Sequence, residues 1–332
     1  MKVVIENKIP YISGVLDGVA QVVYLSPEAI TRDSVRDADA LIVRTRTRCD
    51  AALLDGSSVK WIATATIGTD HIDLGYCRAR GIKVVNAPGC NAPAVAQYVF
   101  AALNALDIDP VGKTMGIVGV GNVGRIVEHW ATLAGMNVLR CDPPRARREG
   151  EGGFVSIDTV ATQSDIVTFH VPLTRNGDDA TYHLAGRRFF SGCLNRPVVI
   201  NAARGGVVDT PALVDSLRDG LVGAAVIDCW EGEPAIDLGL LSLSSIATPH
   251  IAGYSSEGKM RATRAVVRAF ERDFGVKCAS LAFEVSDAMP SRIDVEAVGH
   301  SYNIMADDLS LRSAPGRFED LRNNYKYRNE YR

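Results

Sequence analysis

Three separated segments of this sequence carry a guanidinium, a carboxylate and an imidazole just where apolar runs end. NAARGGVVD places Arg204 after one such run, and AAVIDCWEGEP supplies Asp228 and, five residues on, Glu233. SIATPHIAGYSSEGK supplies His250, between a proline and an apolar pair. An imidazole titrates near neutral pH and can take or return a proton. A carboxylate beside it favours the imidazolium and fixes the ring's orientation. A guanidinium fork matches a carboxylate. The chemistry that needs this set is oxidation of a 2-hydroxy acid. His250 would take the hydroxyl proton as hydride leaves the carbon, Glu233 would steer His250, and Arg204 would anchor the carboxylate or emerging carbonyl. Any one of these residues alone is more often packed core or solvated surface. Their combination with a second motif is what reads as a site.

That second motif is GIVGVGNVGRIV, in which Gly119, Gly121 and Gly124 form GxGxxG after an apolar strand and at the start of a helix. The first glycine permits the tight turn, the second lets backbone N–H groups approach a pyrophosphate, and the third lets helix and strand pack closely. Asp142, in LRCDPP, follows Gly124 by 18 residues. Its carboxylate would accept from ribose hydroxyls and repel a 2′-phosphate, which favours NAD over NADP. Arg145, Arg147 and Arg148 keep the phosphate-bearing cofactor open as an alternative. Asp228 is placed to meet the nicotinamide carboxamide.

The elements that would position these groups alternate. Short β-branched runs at 3–5, 22–25, 40–45, 61–66 and 83–86 read as parallel strands buried on both faces. A helix is expected over 93–106. A second set of strands follows at 116–120, 137–141, 165–170, 198–201 and 224–228. Val123, Ile126, Val127, Trp130 and Ala134 mark one buried helix face. Thr210 and Pro211, with Gly220 beyond, bracket another helix. Two successive sets of βα units imply two doubly wound parallel-sheet domains, an α/β fold.

Composition agrees. The 332 residues suffice for two domains at roughly 150 each, with 47% hydrophobic and 23% charged residues. A formal net charge of −3 gives no global field to hold nucleic acid or an anionic membrane. No apolar run approaches the ~18 residues of a membrane span, and the polar turn after MKVVI is unlike a signal peptide. The seven cysteines show no CxxC pairing and no clustered histidines, so reduced thiols in a cytoplasm are expected and no metal site is.

Weaker signals stand beside these. Arg44, Arg46 and Arg48 sit at period two, hence on one side of an extended chain, where they could receive a phosphate or simply form a solvated edge balanced by Asp50 and Asp55. The amides around Thr66–Gly68 could hold a carboxylate. Asp70, His71 and Asp73 read as loop and capping residues, and His170 as a wall of the cofactor crevice. Cys90 has no visible base, and His129, His183 and His300 show no constellation. Beyond about Val276 the pattern changes. Phe318, Leu321 and Tyr325 fall at helical spacing, so the end is either a solvated tail or a small appended segment that packs against something, most simply a second copy of the chain.

The order GVGNVG, CDPP, FHVPL, NAARGGVVD, DCWEGEP and TPHIAG resembles the D-isomer-specific 2-hydroxyacid dehydrogenases over roughly residues 40–275. The resemblance implies that Arg204, Glu233 and His250 are the catalytic groups. It also implies a Rossmann cofactor domain at 93–252 and a flavodoxin-like substrate domain made of 1–92 and 253–275. IVRTRTRC, ATATIGTDHID, NAPGCNAPAVAQYVF, HIAGYSSEGK and the terminal APGRFEDLRNNY resemble, more narrowly, the branch that oxidises 4-phospho-D-erythronate in pyridoxal phosphate biosynthesis. By that likeness 276–332 is a dimerisation segment and the protein a homodimer. Thr45, Thr66 and Tyr254 would contact substrate, with Arg44 beside them. Asn122, Val123, Asp142, Val171, Ala202, Ala203, Arg204, Asp228 and Gly253 would line NAD together with Gly119, Gly121 and Gly124. Two departures stand out: the chain ends soon after LRNNYKYRNEY, where longer relatives continue, and Val171 replaces a threonine that could hydrogen-bond the cofactor. The alternatives are a dehydrogenase for phosphoglycerate, glycerate or lactate-type substrates, and a non-catalytic NAD-sensing corepressor or scaffold. No nucleic-acid or membrane partner is expected.

Overall fold

The structure, a computed structural model, describes residues 1–150 and 152–331. Glu151, inside the expected cofactor domain, and Arg332, the last residue of the expected C-terminal segment, lie outside the described residues. The chain divides into two compact units. One comprises Met1–Asn91 and Ser255–Asp287, the other Ala92–Tyr254 and residues 288–331. Gly253 and Tyr254 therefore belong to the second unit, and the stretch 276–332 is shared between the two.

The first unit is built on five parallel strands: β1 (Lys2–Glu6), β2 (Gln21–Leu25), β3 (Ala40–Val43), β4 (Trp61–Thr64) and β5 (Lys83–Val85). Their order is β2-β1-β3-β4-β5, the flavodoxin-like arrangement with its switch point between β1 and β3. Val3, Val4 and Ile5 are 0% exposed, as a strand covered on both faces requires. The long helix Ser256–Phe274 closes one face, burying Ala262, Val266, Val267 and Phe270 with Trp61 and Ile5. Ser255 caps its start by accepting from Gly258 N, and Gly275, at φ 66°, ends it in the left-handed conformation that glycine adopts without a Cβ clash.

The second unit has six parallel strands: β6 (Thr114–Val118), β7 (Asn137–Cys141), β8 (Ile166–Phe169), β9 (Val198–Asn201), β10 (Ala224–Ile227) and β11 (Ile246–Ala247), in the order β11-β10-β9-β8-β6-β7. The sequence shows ten strands; β11, two residues long, is the one it does not. The strand order reverses between β6 and β8, which pair in parallel, at the crevice where a Rossmann fold takes its dinucleotide. Helix Asn122–Leu133 lays Val127 and Trp130 into the core beside Phe100 of helix Ala92–Ala105.

The chain's end packs on this same unit. Leu311 and Phe318 are 0% and 1% exposed in one core, and the Tyr331 ring meets Trp130 edge-on at 5.9 Å in the other. The terminal helix spans Phe318–Asn323 and stops before Tyr325, so the expected three-residue helical face is cut short. Among the described residues no helix is long and apolar enough to cross a membrane.

Candidate active site

The glycine turn behaves as its spacing requires. Gly119 has φ 89°, and a Cβ there would stand 2.7 Å from both His170 O and Val171 Cγ1. At Gly124 a Cβ would lie 2.1 Å from Gly119 O, which is why helix and strand approach so closely. Gly121 differs: its Cβ would meet nothing within 4 Å. Space kept clear in front of a helix N-terminus is what a pyrophosphate needs. Asn122 and Val123 open that helix.

Asp142 accepts from Val120 N at 2.8 Å and from Arg145 N at 2.9 Å, joining the glycine loop to the next helix start. The arginines that left NADP open are engaged elsewhere. Arg145 donates to Val120 O and Glu149, Arg147 pairs with Asp179, and Arg148 donates to Pro144 O. That arrangement suits a cofactor without a 2′-phosphate. His170 bonds Thr168 Oγ1 through Nε2 at 3.0 Å, while its Nδ1 is buried without a partner. Burial pushes this imidazole down to about 3, so it stays neutral and forms part of the wall.

The catalytic candidates all stand at the carboxyl ends of β9, β10 and β11. His250 Nδ1 lies 2.7 Å from Glu233 Oε2, and Glu233 Oε1 accepts from Trp230 N at 2.7 Å. Burial alone would raise Glu233; the hydrogen bond and charge of His250, with Trp230 N–H, outweigh it and hold the carboxyl below the usual carboxylate range. Trp230 Nε1 donates to Thr248 O at 2.9 Å, tying the Glu233 loop to the His250 loop. Asn201, at the end of β9, donates to both Arg204 O and Cys229 O, so one amide joins the arginine loop to β10. A Cβ at Gly205 would fall 1.9 Å from Trp230 O, a measure of how tightly those loops abut. Arg204 is half-buried, next to Ala202 and Ala203. His250 itself has φ 56°, in the left-handed region. A non-glycine residue there costs of order 1–3 kcal/mol unless its surroundings impose it.

Those surroundings centre on Asp228, 1% exposed. One oxygen accepts from Thr248 Oγ1 and Ile251 N, each at 2.7 Å, and the other from Ala252 N at 3.0 Å. Burial raises this carboxyl above its usual range, against the lowering effect of His250 and these donors. The carboxylate expected at the nicotinamide carboxamide is thus turned into the 248–252 loop. Cys229 Sγ also lies within 4.8 Å of ligand atoms of Glu233 and His250. Burial, then the charges of Asp228 and Glu233, push its thiol well above the ordinary value, and a thiol held protonated is a poor nucleophile and metal ligand.

In the first unit the expected row of arginines is not there. β3 ends at Val43, and a turn closed by Thr47 N to Arg44 O breaks the extended chain. Glu6, 1% exposed at the end of β1, imposes the turn by accepting from Arg44 N and Thr47 Oγ1. Arg44 then donates to Lys8 O, and Arg48 pairs with Asp50. Thr45 is left exposed beyond β3. Thr66, beyond β4, shares a 2.6 Å hydrogen bond with Thr64 and donates to Gly68 O. Asp73 caps helix Leu74–Ala79, as its spacing suggests.

His183 is a correction. Instead of standing alone it bonds Glu231 at 2.7 Å, lies 3.5 Å from Asp209 and stacks on Tyr182. Asp209 ends NAARGGVVD and Glu231 lies in DCWEGEP, 26 and 48 residues beyond His183, and no spacing signals the cluster.

Comparison with known proteins agrees with this geometry. Residues 99–252 match the family described as D-isomer specific 2-hydroxyacid dehydrogenase, NAD binding domain. The chain is 44% identical to an erythronate-4-phosphate dehydrogenase of Porphyromonas gingivalis, covering 99% of this chain and 94% of the relative. It is 46% identical to one of Bacteroides fragilis, covering 99% and 97%. A D-lactate dehydrogenase of Aquifex aeolicus, solved with NAD and lactic acid, shares the fold at a TM-score of 0.69 and 24% identity, over 83% of this chain and 96% of that one. A solved Thermus thermophilus protein, 26% identical, gives a TM-score of 0.69 over 85% of this chain and 100% of its own. The cofactor is NAD, and the glycine turn, the space before Gly121 and Asp142 fit it. With its Arg204, Glu233 and His250 set at the ends of neighbouring strands, the chain belongs to the D-isomer-specific 2-hydroxyacid dehydrogenase family.

Proposed function

We propose that this protein oxidises 4-phospho-D-erythronate at C2 to 2-oxo-3-hydroxy-4-phosphobutanoate, a step towards pyridoxal 5′-phosphate. The reading is carried by likeness over nearly the whole chain to relatives bearing that activity's name, in a chain that holds the required acid–base pair. NAD, when bound, takes the hydride released as the C2–H bond breaks. His250 takes the hydroxyl proton, and Glu233 orients the ring and balances the imidazolium that forms. Arg204 holds the substrate carboxylate, its fork setting C2 in place. Thr45 and Thr66, each just past the carboxyl end of a strand, contact the substrate together with Arg44 and Tyr254. Asn122, Val123, Asp142, Val171, Ala202, Ala203 and Gly253 line the cofactor with the three glycines, and Asp228 shapes that wall from behind.

The protein works as a homodimer in the cytoplasm. All seven cysteines are buried, with no disulfide among the described residues, which suits a reducing compartment. Met305 and Leu309, 44% and 66% exposed and four residues apart on helix Ile304–Ser313, give the second unit an apolar spot for a second copy. Steady-state rates on 4-phospho-D-erythronate and 3-phosphoglycerate test the substrate. A higher kcat/KM for the former is expected, and a clear preference for the latter refutes the choice.

A further inference from the structure

The loop that carries His250 is gripped from both sides. Its N–H groups at Ile251 and Ala252 donate to Asp228, as described. Its carbonyls face a cation from the other end of the chain. Arg328 donates through Nη1 to Ile251 O at 3.1 Å and Tyr254 O at 3.2 Å, and through Nη2 to Ala252 O and to Ala94 O at 3.1 Å. Its Nε donates to Gln97 Oε1 at 3.2 Å, and Gln97 is 0% exposed. The guanidinium carbon lies 4.1 Å from the Tyr302 ring centroid, within cation–π range. Among the described residues no carboxylate hydrogen-bonds it directly. Asp307, a negative group that acts on it, is reached through the hydroxyls of Tyr302 and Tyr325. A charged group enclosed this way and spent on backbone carbonyls does little for folding that a hydrophobic residue could not do. What it does do is fix the direction of three peptide groups.

We infer that Arg328 is a positioning residue for the reaction: with Asp228 it clamps the 250–254 loop between an anion on its N–H side and a cation on its carbonyl side, and so holds His250 against Glu233. The geometry gives a reason why His250 can keep φ 56°. Ile251 and Ala252, the two residues after it, are each held at both N–H and carbonyl, which restrains the backbone that carries the ring. The C-terminal segment thereby completes the site of its own chain, whatever it contributes to a dimer. Lysine cannot replace this group, since one ammonium has neither the planar fork nor enough donors for carbonyls spread from Ala94 to Tyr254.

The inference rests on the proposed role of His250, and the test separates the two. In full-length protein, the His250 Nδ1 proton bonded to Glu233 should give a far-downfield proton NMR signal that disappears in Glu233→Gln. Arg328→Lys should lose or markedly shift that signal and lower kcat by about 10- to 100-fold, the scale of a small misplacement of a catalytic group. The KM for NAD should move far less. A variant of comparable thermal stability altered elsewhere in the core, Phe190→Leu, should keep both signal and kcat, which a merely stabilising role of Arg328 would not predict. An unchanged signal, or an unchanged kcat, in folded Arg328→Lys overturns the inference. Should that variant not fold, Gln97→Met, which removes the Nε acceptor alone, carries the test: a smaller change of both readouts upholds it and wild-type values of either overturn it. Full activity in His250→Gln would instead refute the proposed function and leave the effect of Arg328 on the signal to be read by itself.

Discussion

His250 Nδ1 and Glu233 Oε2 stand 2.7 Å apart, with Trp230 N occupying the other carboxylate oxygen. Glu233 therefore has both oxygens committed and can hold only one ring orientation, with Nε2 left for substrate. Glu233→Gln keeps the size but removes the charge that favours the imidazolium. It should lower kcat/KM by about 100- to 10,000-fold near neutral pH, most of it in kcat. Stopped-flow hydride transfer under single turnover checks this, because a loss confined to product release would leave that rate unchanged.

Two glycines of the turn fail in different ways when replaced by alanine. At Gly124 the methyl would fall 2.1 Å from Gly119 O, a backbone atom that cannot yield, so Gly124→Ala should lower Tm sharply or prevent folding. Gly121→Ala meets no protein atom within 4 Å. It should fold with a Tm near that of the unaltered protein, yet bind NADH at least about tenfold more weakly, the methyl standing where the pyrophosphate approaches. Calorimetry for stability and fluorescence titration for NADH separate the two effects. Equal loss of stability at both positions would contradict the assignment.

How much of this was legible in the sequence depends on what signals an element. Val3–Ile5 and Val198–Asn201 announce themselves because a strand covered on both faces must be apolar throughout, whatever its neighbours. The turn and the Glu233–His250 pair were legible because glycine spacing and the charged residues after strand ends are local. The arginine row failed for a non-local reason: Glu6, on a different strand, bends the chain at Arg44 and Thr47, so period two no longer means one side. Arg328 was silent too. Its partners are backbone carbonyls 74 to 77 residues earlier at the His250 loop, and a carbonyl has no letter in the sequence. His183 is the same case, its two carboxylates supplied by distant loops.

The proposed homodimer is tested at helix Ile304–Ser313. Met305 and Leu309 share one exposed face, while Leu311 is 0% exposed and points into the core. Replacing Met305 and Leu309 together by glutamate leaves that core intact and places two charges where a second copy would pack. Light scattering after size exclusion should show a dimer for the unaltered chain and a monomer for the double variant. A dimer persisting in the double variant would move the contact elsewhere.

His170 supplies the acid dependence. Its folded-state imidazole is depressed by burial to about 3, whereas in the unfolded chain it titrates near the ordinary value of 6.5. Below about 6.5 the unfolded state therefore binds a proton that the folded state refuses. The sign follows: stability from this residue is intact above 6.5 and is lost as pH falls towards 3, at up to about 1.4 kcal/mol per pH unit for one proton. Carboxylates such as Glu233, held below their usual range, add their own loss only lower, below about 4.5. Within the interval between 6.5 and 4.5 His71, which burial also lowers, adds a loss of the same sign, and the raised carboxyls of Asp228 and Asp307 act against it, so comparison with a variant, not the slope alone, isolates His170. His170→Asn, which keeps a polar group near Thr168 without a titrating ring, should flatten the slope of unfolding free energy against pH in that window. Urea denaturation at half-unit pH steps measures it. An unchanged slope would mean that the ring gains a proton in the folded protein after all, and that it is more than a wall of the crevice.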